Sequence, residues 1–221
     1  MTCDKGVIGI IELFELYVKR KDFFMMLTLE HLKICGISIL IAAAAGGILG
    51  IIISEYRKSS VLILGITNFM YTIPSISLLG FLIPFTGIGD VTAVIALTIY
   101  ALLPMIRNTY TGIENIDDSI IECARGMGST EFEILYKVKL PLATTVILAG
   151  FKNMVVMTIA LAGIASFIGA GGLGVAVYRG ITTNNSTMTI AGSLLIAVLA
   201  VISDLSIGSI EKIIKRKWRL N

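Results

Sequence analysis

Charged residues in this chain fall in clusters, and long stretches without any charge run between them. Lys33 and Glu55 bracket 21 uncharged residues, Lys58 and Asp90 bracket 31, Asp90 and Arg107 bracket 16, and Arg179 and Asp204 bracket 24. A helix needs about 20 apolar residues to cross a bilayer. These four stretches, with a continuous helical pattern from Pro141 to Ile168, predict five transmembrane helices, over about 32–54, 61–83, 91–106, 141–168 and 188–209. At 1.5 Å per residue, 141–168 would be about 42 Å long against a core of ~30 Å, so its Pro141 end is expected to project from the bilayer. Within the first stretch, Ala42 to Ala45 followed by Gly46, Gly47 and Gly50 places small residues four apart, a spacing that admits another helix at close range.

One polar island interrupts this pattern, from Ser119 to Pro141. Ser119 with Glu122 three residues on makes a capping box, and Ile120, Ala124 and Met127 recur at helical spacing after it. Gly128 can close that helix in the left-handed conformation, and Thr130 with Glu133 repeats the box, opening a second helix with Phe132, Leu135 and Tyr136 on one face. Pro141 ends the second and suits the first turn of a third. The island reads as helix, glycine corner, helix, proline corner.

Composition narrows the class. The 221 residues are 56% hydrophobic and 15% charged, whereas a soluble domain carries about 25% charged residues. Residues 1–27 mix an apolar run with Glu12 and Glu15 and then Lys19, Arg20 and Lys21; lacking a basic lead and a cleavage site, they predict an amphipathic segment on the outer membrane surface instead of a signal peptide. Cys3, Cys35 and Cys123 are odd in number and scattered, so free thiols are expected. The lone His31 has no companion ligands; an interfacial side chain is expected, and no metal site. A net charge of +3 gives no reason to expect a nucleic-acid partner.

Several polar groups lie in apolar runs. Asn68, Thr72, Pro74 and Ser75 cluster around one proline, and Lys152 and Asn153 interrupt the fourth helix. Such groups usually face a bundle interior or a pathway, although interhelical hydrogen bonding serves as well for the first set and snorkelling for Lys152. Asp204, near the inner end of the last helix, is expected to pair with a neighbouring base or with interfacial water. Gly169, Gly171 and Gly174 in FIGAGGLG formally match a dinucleotide fingerprint, but no strand precedes them and no acid follows about 20 residues on. They are expected to break the backbone at the outer surface.

Orientation follows from the basic residues. With the island cytoplasmic, the inner loops and the basic tail 212–221 hold eleven lysines and arginines and the outer side six. That bias places the N-terminus outside and the C-terminus in the cytoplasm.

Glu122, Cys123, Ala124, Gly128, Val138, Leu140 and Pro141 resemble the EAA signature of ABC importer permeases, with Cys123 in place of the usual alanine and Val138 in place of isoleucine. Residues 71–90, 101–113 and 167–174 look like the permease subunits of osmoprotectant ABC importers. The resemblance implies an all-α, five-helix, type I ABC importer permease fold, similar to methionine permeases, over 28–211. It implies a cytoplasmic coupling loop over 114–141, in which Glu122, Cys123, Ala124, Arg125, Gly128, Leu140 and Pro141 would meet a separate ATPase. Further implied partners are a second permease chain, membrane lipid, and a binding protein outside the cell membrane, with Gly169, Gly171, Gly172, Gly174 and Arg179 as its contact candidates. The family moves glycine betaine, carnitine, choline or proline betaine.

The chain has no GxxxxGK[ST] loop, so no cofactor is expected in it; ATP and magnesium would sit on the partner ATPase. With the sequence ending at Asn221, no fused binding domain is expected after the last helix. Substrate choice is expected to lie mainly in the binding protein, since the spacing of Phe69, Tyr71, Phe81 and Phe85 suits packing as well as a cage. Methionine-type permeases share the five-helix plan and the glycine-rich segment. A secondary carrier would show midplane charges or inverted repeats, and an embedded enzyme would carry HExxH or GxSxG; neither pattern is found.

Overall fold

The computed structural model describes residues 3–218, with side chains described over 9–56 and 59–216. Expectations resting on the side chains of Cys3, Lys5, Arg57, Lys58, Lys217, Trp218 and Arg219, or on Asn221, lie outside the described residues.

The N-terminal segment is a helix, α1 (Cys3–Lys19), which turns at Arg20 into α2 (Lys21–Glu55). The expected boundary near residue 27 moves to Arg20. Nothing between Lys21 and Cys35 stops a helix, as neither glycine nor proline occurs there, and extending α2 backward buries Phe24 and Leu27.

The single helix expected over 61–83 does not form. Two helices, α3 (Arg57–Thr72) and α4 (Ser75–Thr86), are bent by 99° at the intervening break. Proline pushes Ile73 out of the helical region, and Pro74 itself, at φ −57° and ψ 137°, opens α4 by accepting from the Leu78 amide at 3.0 Å. Gly87 and Gly89, at φ +81° and +116°, then form the tight turn into α5 (Asp90–Glu114). That helix runs past Arg107, where it was expected to end. Packing carries it onward: a Cβ on Gly112 would lie 3.1 Å from Val146 Cβ and 3.3 Å from Ala143 Cβ.

The polar island forms α6 (Asp118–Gly126) and α7 (Glu131–Ile134), followed by a π turn over Leu135–Lys139 and by α8 (Leu140–Ala162). Pro141 makes no corner. It cannot donate to an upstream carbonyl, and the widened turn, closed by the Leu140 amide on Leu135 O, lets the backbone continue through it. The helix ends at Ala162 instead of Ile168, because Gly163 and Ile164 tighten into a turn ahead of a 3₁₀ segment, Ala165–Ile168. The short α9 (Gly174–Thr182) follows, and a turn with Asn184 at φ +51° leads to α10 (Ser186–Trp218). Asn185 Oδ1 accepts from the Met188 amide at 2.9 Å and caps that last helix, which carries Lys212 and Lys215 within it.

The chain forms two compact units. One comprises Met1–Ile39, Ile73–Thr98 and Val156–Ile202 and has a core of Phe24, Leu27, Leu173, Ala176, Met188 and Ala191. The other comprises Leu40–Thr72, Ile99–Val155 and Ser203–Asn221 and relies on small residues. A Cβ on Gly46 would fall 2.9 Å from Met105 Cβ, and one on Gly50 would fall 3.0 Å from Ile106 O. The small-residue run of α2 thus receives α5 of the same chain.

Candidate functional site

The polar island is built from local caps. Asp117, not Ser119, caps α6: its side chain accepts from the Ser119 amide at 2.8 Å. The Ser119–Glu122 box is not formed, because the helix begins two residues earlier than that pairing needs. Hydrogen bonds from the Ser119 side chain and amide hold the Asp117 carboxyl below its usual range.

At the other end of α6, Gly128 adopts φ +88°. Its amide donates to Arg125 O at 3.0 Å and that of Ser129 to Ala124 O at 3.2 Å, the paired bonds of a Schellman closure. The expected Thr130–Glu133 box opens α7. Arg125 Nε donates to Glu131 Oε1 at 2.8 Å across the glycine corner, and this bond with the nearby carboxylate raises the guanidinium pKa.

The corner borders a cleft of about 330 Å³ whose charged lining is Glu55, Glu114, Asp118, Glu122, Arg125, Glu131 and Lys139. Ala124 is buried and holds the helix down, while Glu122, Cys123, Arg125 and Gly128 are exposed. Around them Met127, Phe132 and Tyr136 are 81%, 75% and 66% exposed. Three large apolar side chains are thus bare on a polar loop, a combination found at interaction surfaces. The sequence pattern puts Phe132 and Tyr136 on one helix face and Met127 at helical spacing with Ile120 and Ala124, but it does not connect Glu55 with the loop. Leu140 and Pro141 lie beyond the π turn at the start of α8 and adjoin Tyr136 and Lys137.

In the other unit, Gly169 and Gly172 adopt φ +74° and +94°, as a break in the backbone requires. Two carboxylates that sequence reasoning missed hold this loop. Gly171 N donates to Asp90 Oδ1 at 3.0 Å, and Gly172 N donates to Glu30 Oε2 at 3.1 Å. His31 is not interfacial: it is 1% exposed, its Nε2 donates to Ile159 O at 3.1 Å, and it packs directly under Gly172. Gly172 and Gly174 are buried, which leaves Gly169, Gly171 and Arg179 as the accessible candidates. The Arg179 guanidinium lies 5.3 Å from the centre of the Phe23 ring.

The pathway candidates are less uniform. Asn68, Thr72, Pro74 and Asn153 are exposed and Ser75 is half-buried, and the Thr72 hydroxyl donates to Phe69 O at 2.7 Å. Lys152 is drawn instead to Asp204, with Nζ 3.0 Å from Oδ1. Sequence reading singled out both residues without joining them.

Residues 39–219 match the family described as the binding-protein-dependent transport system inner membrane component. The chain belongs to this family of importer permeases. A glycine betaine/carnitine/choline transport system permease protein, OpuCD of Bacillus subtilis, is 41% identical over 184 residues, covering 83% of this chain and 80% of that one. The choline transport system permease protein OpuBD of the same organism is 37% identical over 202 residues, 91% of this chain and 89% of that one. An ergothioneine transport permease/ergothioneine binding protein of Helicobacter pylori, EgtU, is 38% identical over 80% of this chain, which spans 32% of that longer protein. Among solved structures, an inward-facing MetNI methionine ABC transporter superposes with a TM-score of 0.80 at 24% identity, covering 86% of this chain and 95% of that one.

The permease therefore has the all-α, methionine-permease-like fold expected of it. Among the described residues four helices are long and apolar enough to cross a membrane, and the broken pair Ser59–Thr72 and Ser75–Thr86 makes up to five.

Proposed function

We propose that this permease forms the pore of an ATP-driven importer of quaternary-ammonium osmoprotectants: glycine betaine, carnitine, choline or proline betaine. A binding protein delivers solute to the outer mouth, two permease chains enclose the route, and ATP-driven closure of a pair of ATPases on the coupling loops switches it between inward and outward facing. ATP and magnesium belong to those ATPases. The N-terminus lies outside and the C-terminus in the cytoplasm, as the distribution of basic residues favours. The coupling role is carried by one observation: a rigidly capped polar corner at Gly128 presents bare Met127, Phe132 and Tyr136 beside an acidic cleft. The substrate class rests on the relatives named for betaine and choline transport.

The test is reconstitution with the cognate ATPase and binding protein in proteoliposomes, followed by uptake of labelled glycine betaine, carnitine, choline and methionine. Saturable, ATP-dependent uptake of a quaternary ammonium solute is expected. Uptake of methionine alone would replace the substrate reading, and failure of the ATPase to copurify would remove the coupling reading. For orientation, a cysteine at Asn184 should react with an impermeant reagent in intact cells and one at Lys212 should not.

A further inference from the structure

Lys152 and Asp204 lie within helices apolar enough to cross a membrane, Glu131–Ala162 and Ser186–Arg216. Lys152 is ten residues ahead of Ala162, which at the helical rise is about 15 Å, half of a ~30 Å hydrocarbon core. Asp204 lies eight residues, about 12 Å, ahead of Lys212, the first basic residue of the tail, and an ionised pair inside apolar spans needs both a partner and an environment. The partner is present, since the ammonium and the carboxylate meet at 3.0 Å. The environment is only half provided by the chain, because the two side chains remain 28% and 43% exposed.

Charged groups at membrane depth face a bundle interior or a water-filled cavity, since lipid cannot solvate them. Gly208 borders the ammonium: a Cβ there would stand 3.6 Å from Lys152 Nζ, in ordinary contact.

We propose that Lys152 and Asp204 face the water-filled translocation route and act as a two-point station for a zwitterionic solute, Lys152 meeting its carboxylate and Asp204 its cationic nitrogen. Between solutes the two residues neutralise each other. A passing zwitterion exchanges one ion pair for two with no change of net charge, so neither residue is left unpaired in a low-dielectric setting. A cation without a carboxylate satisfies Asp204 alone and strands Lys152, so among the proposed solutes choline is expected to pass more slowly than the betaines. The inference rests on the importer reading but not on one solute, because betaines and amino acids both carry a carboxylate and a cationic nitrogen.

Two measurements on the complete complex test it. In a chain whose Cys3, Cys35 and Cys123 are replaced by serine, Lys152→Met/Asp204→Cys is exposed to a small trimethylammonium thiosulfonate, with Leu205→Cys, the neighbouring and 64% exposed apolar position, as the control. Reaction at 204 at least tenfold faster than at 205 is expected; equal rates overturn the proposal. In proteoliposomes, the neutral pair Lys152→Met/Asp204→Leu removes both charges together and so leaves no stranded ion to impair insertion. It should accumulate like the wild type, while glycine betaine turnover at saturating loaded binding protein falls about tenfold, and the reversed pair Lys152→Asp/Asp204→Lys should recover part of the loss. Unchanged turnover in the neutral pair overturns the two-point role. A wild-type complex that imports no zwitterion removes the importer reading, and the labelling comparison then still decides whether the pair faces water.

Discussion

Lys139 Nζ stands 2.7 Å from Glu55 Oε1, joining residues 84 apart in the chain. Lys139 is the last residue of the π turn that leads into α8, and Glu55 is the last residue of α2, so this contact fastens the polar island to a helix end. The lysine side chain is 13% exposed, which sets the pair between an exposed ion pair and a buried one. Lys139→Ala should therefore destabilise the purified permease by about 1–3 kcal/mol, partly because Glu55 is left among the other acids of the cleft. Thermal denaturation in detergent measures the loss. The swapped pair Glu55→Lys/Lys139→Glu should restore at least half of it, and a swap no better than the single change would show that the contact contributes nothing.

Gly128 separates backbone conformation from packing. No atom lies within 4 Å of the place a Cβ would take, so a side chain there meets open space, and the penalty comes only from φ +88°. Gly128→Val should cost about 1–3 kcal/mol locally and Gly128→Asn less, since asparagine tolerates the left-handed region. The spanning helices should insert at normal levels while ATPase copurification and uptake fall, the valine variant further than the asparagine. Normal uptake and normal copurification of Gly128→Val would show that this corner is not the coupling element.

The parts of the fold visible in the sequence are those fixed by short-range chemistry. The Thr130–Glu133 box and the left-handed Gly128 depend on neighbours within one turn, and both formed where expected. Pro74 and Pro141 show the limit of such reading. One proline breaks the chain by 99° and the other is absorbed in a π turn, a difference that depends on whether the flanking turn can widen and not on the proline itself. The carboxylates of Glu30 and Asp90 on the glycine loop, and the Lys152–Asp204 pair, were out of reach for another reason: each joins positions more than fifty residues apart, and no local periodicity encodes such meetings.

Capping of α6 turns on the correction at its N-terminus. Because the Asp117 side chain accepts from the Ser119 amide at 2.8 Å, Asp117→Ala should loosen the first turn of α6, whereas Glu122→Ala should leave the cap intact. Hydrogen exchange of the α6 amides distinguishes them. Faster exchange in the first turn is expected for Asp117→Ala only, and equal acceleration in both variants would restore Ser119 and Glu122 as the cap.

Neighbouring glycines of the outer loop should fail for different reasons, and a double mutant separates them. A Cβ on Gly171 would lie 2.6 Å from Glu30 Oε2, the movable end of a flexible side chain, whereas one on Gly172 would lie 3.1 Å from His31 Cα at φ +94°. Gly171→Ala can be accommodated by swinging the Glu30 carboxylate away, at about 1 kcal/mol for the hydrogen bond it then loses. Gly172→Ala meets backbone and an unfavourable φ together, and should cost about 2–4 kcal/mol. In a Glu30→Ala background the Gly171→Ala penalty should vanish, because both its obstacle and the bond it breaks are already gone, while the Gly172→Ala penalty should persist. Thermal stability of the four variants and of Glu30→Ala alone gives both coupling energies. A Gly171→Ala penalty that survives the loss of Glu30 would mean that this carboxylate does not hold the loop.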